Sequence, residues 1–282
     1  MQLTPGAGGS VASFRHREFD LMRPMDAPPG QHPQALSAGM FPMVPFVNCL
    51  RENRFKVDGQ AYEVAPNMGD ARLNFHGSGW TLPWQVEAQG DADAVLTLYS
   101  GKADPVFAYR ARQRFALYPD RLEVTLSVEN TGERRMPFSL GLHPWFPRHG
   151  NALVRFAAKG VWFTDDEGQR GTFAPSPDGA DFGRFRAMPR SYLNDCHAGW
   201  DGKAEVCWPD AGIRLTICAD KGLSHLMAHV PAHQFDTFCL EPQSAPPCGF
   251  DGLDRAEAPP GVFLLTPGAE ARVRVVFSVA DY

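Results

Sequence analysis

The chain is 282 residues long and has little of what marks several protein classes. Its six cysteines, Cys49, Cys196, Cys207, Cys218, Cys239 and Cys248, form no C-x-x-C pair and sit in mostly apolar, strand-like surroundings. That argues against structural zinc. A chain of this length also has no need of disulfides to hold a core. The longest Lys/Arg cluster is Arg134-Arg135 and the formal charge is −5, so no basic face is available for nucleic-acid phosphates. No apolar run approaches the ~18 residues of a membrane span. Met1–Ser10 lacks the basic start and apolar stretch of a secretory leader. Nowhere do ten or more residues carry helical periodicity with caps. The expectation is a cytoplasmic protein with reduced thiols and no nucleic-acid or membrane partner.

What is present is turn residues and alternation. The 25 prolines and 27 glycines exceed the average of roughly 5% and 7% and suit many short strands. Phe107, Tyr109, Ala111, Gln113, Phe115 and Leu117 fall on one face of a period-two pattern. Tyr118-Pro119-Asp120 turns the chain, and Leu122, Val124, Leu126 and Val128 repeat the pattern, predicting a long antiparallel hairpin with one buried face. Asp58-Gly59, between Arg54-Phe55-Lys56-Val57 and Ala61-Tyr62-Glu63-Val64, predicts a two-residue hairpin turn. Further strands are expected at 11–15, 84–89, 94–99, 137–142, 152–157, 204–208, 212–218, 224–230, 236–241, 262–266 and 271–279. Residues 23–39 and 164–186 read as long surface loops. Strand style resumes on either side of both, so the fold expected is an all-β, antiparallel β-sandwich formed by residues 1–282 as one domain.

Three segments carry candidate chemistry. In Gly141-Leu142-His143-Pro144-Trp145-Phe146 an apolar run ends at an ionisable residue, with proline and two aromatic rings after it. His76 lies in Phe75-His76-Gly77-Ser78-Gly79-Trp80, and Glu241 in Phe238-Cys239-Leu240-Glu241-Pro242-Gln243. A proton-transfer group on rigid backbone beside flat apolar faces suits a sugar. Each residue also has a plainer explanation: a turn histidine, a core histidine at a strand end, a strand-end carboxylate. Glutamate is rarely buried unpaired, so burial of Glu241 would favour function. His225, His229 and His233 have i, i+4, i+8 spacing, but Pro231 and the strand-like context place successive members ~13 Å apart, too far to share an ion. No metal is expected. Ser78 in His76-Gly77-Ser78-Gly79 lacks the strand-to-helix context of a nucleophile elbow. A glycosidase would pair Glu241 with a second carboxylate, Asp195 or Asp251.

At these residues the chain resembles the aldose 1-epimerase (galactose mutarotase) family. The similarity runs in order through 41–48, 54–59, His76-Gly77-Ser78-Gly79-Trp80 with Pro83-Trp84, and Gly141–Phe146. It continues through Leu193-Asn194-Asp195-Cys196 with Gly199–Gly202, and 240–246. The resemblance implies a large galactose mutarotase-like supersandwich. It also implies interconversion of the α and β anomers of a free aldose without cofactor or metal. By that likeness Glu241 is the general base at the C1 hydroxyl, His143 the general acid at the ring oxygen, and His76 a sugar-binding histidine. Asn48, Asn194, Asp195 and Trp145 are the other expected sugar contacts. A free sugar is the expected partner, and the chain is expected to be a monomer or weak homodimer.

Two departures stand out. The family usually has arginine directly after the asparagine matching Asn48; here it is Cys49, and a thiol cannot replace a guanidinium's fork of donors. On an extended strand Arg51 would share the face of Cys49, about 6.6 Å along, and is the expected substitute. Asn194 stands where many members carry a sugar-binding aspartate. A carbohydrate-binding protein of the same fold without turnover, or a glycoside-processing hydrolase, are the alternatives.

Overall fold

Alternation in the sequence becomes the inner face of a sheet. In the computed structural model, which describes residues 1–26, 34–175, 181–253 and 260–282, Tyr109–Leu117 and Arg121–Asn130 pair from Tyr109↔Asn130 to Leu117↔Leu122. Ala111, Phe115, Leu122, Val124, Leu126 and Val128 are fully buried along them. Asp58 and Gly59 both have positive φ (50° and 78°), and Val57 pairs with Gln60, as a two-residue primed turn requires.

Among the described residues, most strands form two nine-stranded sheets, three two-stranded ribbons hold the others, and every pairing is antiparallel. The first runs, in spatial order, Gln2–Thr4, Ser10–Ser13, Met40–Met43, Gly141–Pro147, Thr237–Gln243, His225–Val230, Leu193–Ala198, Gly160–Thr164 and Arg170–Ala174. The second runs Arg186–Ala187, Leu153–Phe156, Lys203–Trp208, Ile213–Ala219, Glu270–Asp281, Arg121–Asn130, Tyr109–Leu117, Asp93–Tyr99 and Gln85–Gln89. One core joins them: Leu142, Phe146, Leu226, Phe238 and Leu240 from the first sheet pack with Val124, Leu126, Ile217, Val273 and Val275 from the second. Each such side chain stabilises the fold by roughly 1.5–3 kcal/mol when fully buried. The fold is the expected all-β sandwich, and the described residues contain only short 3-10 turns, none of them long and apolar enough to cross a membrane.

Three local expectations change. The run expected as one strand over 137–142 is two, Met136–Phe138 and Gly141–Pro147. The break lets Leu140 N–H bond to the hydroxyl of Ser244, and it moves His143 from a strand end to mid-strand. Met40–Met43, Gly160–Thr164 and Leu193–Ala198 are strands that alternation did not announce. Within the stretch read as a loop over 164–186, Arg170–Ala174 is an edge strand, while 176–180 lie outside the described residues, as do 27–33 of the other loop.

Candidate active site

The register of the first sheet assembles the site. Gly141 pairs with Gln243 and Trp145 with Cys239, which sets His143 directly opposite Glu241. Beyond them, Phe41 pairs with His143, Met227 with Glu241, His229 with Cys239, and Asn194 with His229. Successive residues of a strand point to opposite faces. With Leu142, Phe146, Leu226, Phe238 and Leu240 in the core, the intervening residues share the face turned away from it. That face floors a cavity of about 300 Å³, within the range of small-molecule sites. Asn48, Phe75, His76, Asp166–Gly168 and Tyr192 also line it.

His143 Nε2 lies 3.3 Å from Glu241 Oε1, and the residues are only 6% and 2% exposed. Burial pushes Glu241 well above the usual carboxylate range. Burial also holds His143 well below the usual imidazole range, reinforced by His76, His229 and Arg23 nearby. Desolvation disfavours the charged form of both groups. Among the described residues, Asn48 Nδ2, His143 Nδ1, Trp145 Nε1 and Glu241 Oε2 are buried without a hydrogen-bond partner. All four belong to cavity-lining residues. Unsatisfied buried polar groups are rare and costly.

His76 and Asn48 hold one another. The backbone N–H of Asn48 donates to His76 Nδ1 at 3.0 Å, and the backbone N–H of His76 donates to Asn48 O at 2.6 Å. Both residues adopt positive φ (60° and 52°), a strained region for side-chain-bearing residues that collects at functional sites. Because Nδ1 accepts, the ring proton of neutral His76 sits on Nε2, and burial lowers this imidazole to about 3. Asn194 accepts from His229 Nδ1 at 3.1 Å and donates to Thr164 Oγ1 at 3.2 Å. Burial lowers His229 to about 4.

Other expected contacts are placed differently. Trp145 lines the cavity, but its ring stacks on His143 (5.2 Å between centroids, 17°) and carries the Arg23 guanidinium 4.2 Å from its centroid. It is therefore a support for His143 more than an open platform. Asp195 lies on the opposite face of its strand from Asn194, and burial raises it to about 6. Arg51 is not on an extended strand: Arg51–Asn53 is a 3-10 turn with positive φ at Glu52 and Asn53. Its side chain is 45% exposed, pairs with Asp251 at 2.9 Å, donates to Arg170 O at 3.2 Å, and does not line the cavity. Cys49 is fully buried beside Cys248 and Leu73, its thiol donating to Gly168 O at 3.4 Å. Among the described residues, no arginine or lysine lines this cavity.

The alternative chemistries lose their partners. Ser78 donates to Asp104 at 2.6 Å and meets the Tyr109 hydroxyl at 2.8 Å, and among the described residues no imidazole is bonded to it. Neither Asp195 nor Asp251 lines the cavity with Glu241. Sequence reasoning missed His229, Phe75, Met227 and Tyr192. The signal for His229 was its place two residues from Met227 on one strand face, obscured by weighing it only as a metal ligand.

The model for the family described as aldose 1-epimerase matches residues 4–277. The chain belongs to the aldose 1-epimerase family. It is 33% identical over 247 residues to the uncharacterized protein YphB of Escherichia coli (strain K12), covering 85% of this chain and 83% of that protein. It also resembles the crystal structure of a candidate aldose 1-epimerase from Escherichia coli K12 (TM-score 0.89, 29% identity, 98% of this chain and 94% of the other). The GalM/aldose epimerase homologue from C. elegans shares the fold (TM-score 0.79, 14% identity, 99% and 94% coverage).

Proposed function

We propose that the protein is an aldose 1-epimerase in activity as well as family, with His143 and Glu241 exchanging protons with a free aldose. The observation that carries this is the buried pair: an imidazole nitrogen and a carboxylate oxygen 3.3 Å apart on a cavity floor. In a pyranose the C1 hydroxyl and the ring oxygen are bonded to the same carbon. A base and an acid serving both must therefore sit side by side.

Ring opening starts from anionic Glu241 and protonated His143. Glu241 takes the C1 hydroxyl proton as His143 delivers one to the ring oxygen, and the C1–O5 bond breaks to give the aldehyde. The pair then holds no net separated charge, the state that burial favours. Rotation about C1–C2 and the reverse transfer close the other anomer. Each positioned group contributes roughly 10²–10⁴-fold. His76 Nε2–H and the unpartnered Nδ2 of Asn48 are donors for sugar hydroxyls.

A second reading has its own support. Cys49 stands where the family resemblance leads one to expect arginine, and among the described residues no arginine lines the cavity, which suits a sugar-binding protein without turnover. Polarimetry of freshly dissolved α-D-glucose and α-D-galactose separates the two. Catalysed relaxation of optical rotation is the expected result. Saturable sugar binding with an unchanged relaxation rate would overturn the enzyme and support the binding protein.

A further inference from the structure

A third reactive side chain adjoins the histidine–glutamate pair. Cys239 lies two residues before Glu241 on the same strand face, between Trp145 and His229 in register. Its Sγ, a ring nitrogen of His143 and a carboxylate oxygen of Glu241 all lie within 4.8 Å of one another, and all three residues are buried. Sugar chemistry of the kind proposed above gives this thiol no task.

The geometry points to a binding site for a thiophilic divalent cation, Zn²⁺ or Cd²⁺, formed by His143, Cys239 and Glu241, whose occupancy blocks the sugar site.

The donor set is one sulfur, one nitrogen and one oxygen, which zinc accepts in tetrahedral sites. With metal–ligand bonds of ~2.0–2.3 Å, tetrahedral ligand atoms stand ~3.3–3.7 Å apart. The histidine–glutamate distance of 3.3 Å already meets this, and the remaining separations need close by only about 1 Å from the 4.8 Å limit. The donors come from two hydrogen-bonded strands in the middle of a nine-stranded sheet, so the backbone holds them in place. The facing atoms are His143 Nε2 and Glu241 Oε1; among the described residues the far atoms of the same groups, His143 Nδ1 and Glu241 Oε2, have no hydrogen-bond partner that would hold either side chain against turning toward an ion.

Charge also balances. A thiolate and a carboxylate with a neutral imidazole cancel a divalent cation, so the filled site is neutral, the condition for burying ions at acceptable cost. Binding releases to solvent the Cys239 thiol proton and any proton held by Glu241. His143 and Glu241 line the cavity, so water or a sugar hydroxyl there would be available as a fourth ligand. The ion occupies the two atoms that the proton relay uses, so it competes with catalysis.

This inference does not depend on turnover, and its test reads binding directly. The 282-residue protein carrying Cys218→Ser, which removes the exposed thiol, is titrated with Co²⁺ as a spectroscopic probe and with Zn²⁺ by calorimetry. The expected result is one ion per chain and a thiolate-to-cobalt charge-transfer band. Cys239→Ala and Cys239→Ser should each abolish the band and weaken Zn²⁺ by more than the ~10–100-fold that loss of a supporting contact costs. Any mutarotase activity should persist in both variants and lose its sensitivity to Zn²⁺. A band that survives in both variants, or no stoichiometric uptake by the parent protein, would overturn the site. Mutarotase activity without the band would leave the proposed function standing, and the band without activity would do the reverse.

Discussion

Asn194→Asp tests the electrostatics of the cavity. Asn194 Oδ1 accepts from His229 Nδ1 at 3.1 Å, and burial, opposed by a backbone hydrogen bond at Leu193, lowers this imidazole to about 4. A carboxylate in the same place adds a full negative charge beside the ring. At an effective dielectric of ~20, unit charges ~4 Å apart attract by about 4 kcal/mol, which is about 3 pH units at 1.36 kcal/mol each. Desolvation of the new carboxylate takes back part of this. His229 should therefore titrate about 2–3 pH units higher, between roughly pH 6 and 7. The assay is the imidazole Cε1–H chemical shift as a function of pH, assigned by comparison with a His229→Gln variant. If His229 in Asn194→Asp still titrates below pH 5, the charge and geometry assigned to this pair are wrong.

Other outcomes follow from the same groups. Burial lowers His76, His143, His197, His225 and His229. The unfolded chain therefore takes up their protons first, and stability is lost as pH falls below about 6.5. Glu241 and Asp195 are raised and act oppositely, losing stability as pH rises above about 4. Near pH 5, five imidazoles against two carboxyls leave a net of three protons, so stability should rise by up to about 4 kcal/mol per pH unit. Urea midpoints at pH 5 and 7 check this, and a higher midpoint at pH 5 would contradict it. His76→Ala removes the acceptor for Asn48 N–H and one cavity donor. It should raise KM about 10-fold, from about 1–1.5 kcal/mol per hydrogen bond, as read from initial mutarotation rates. Gly77 has φ +67°, and an added Cβ would meet Pro45 Cδ at 2.4 Å. Gly77→Ala should cost about 2 kcal/mol or more by chemical denaturation and should weaken sugar binding by displacing His76.

Much of the architecture was legible because one face of each long strand is buried: the Tyr109–Leu117 and Arg121–Asn130 hairpin alternates along its whole length. Met40–Met43 was not, because all four residues are buried and no polar face remains to mark the period. Leu193–Ala198 was hidden by Asn194 and Asp195, which locally read as turn formers but are held by pairing to His225–Val230. His143 and Glu241 could be named from their segments, whereas their burial and their cross-strand pairing are set by register between distant parts of the chain. Arg51 misled because the positive φ of Glu52 and Asn53 is imposed by tertiary bonds. Asn53 Oδ1 accepts from Asn74 N at 2.7 Å, and Gln169 accepts from Glu52 N at 3.1 Å.

The most direct measurement is the rate of mutarotation of fresh α-D-galactose or α-D-glucose by wild-type protein, His143→Asn, Glu241→Gln and the double variant. If the two side chains act as one proton relay, each single change lowers kcat by roughly 10²–10⁴-fold. The double variant should then be scarcely worse than either single one, as for residues that act as a unit. Single variants that keep wild-type rates, or losses that simply multiply in the double variant, would contradict the relay.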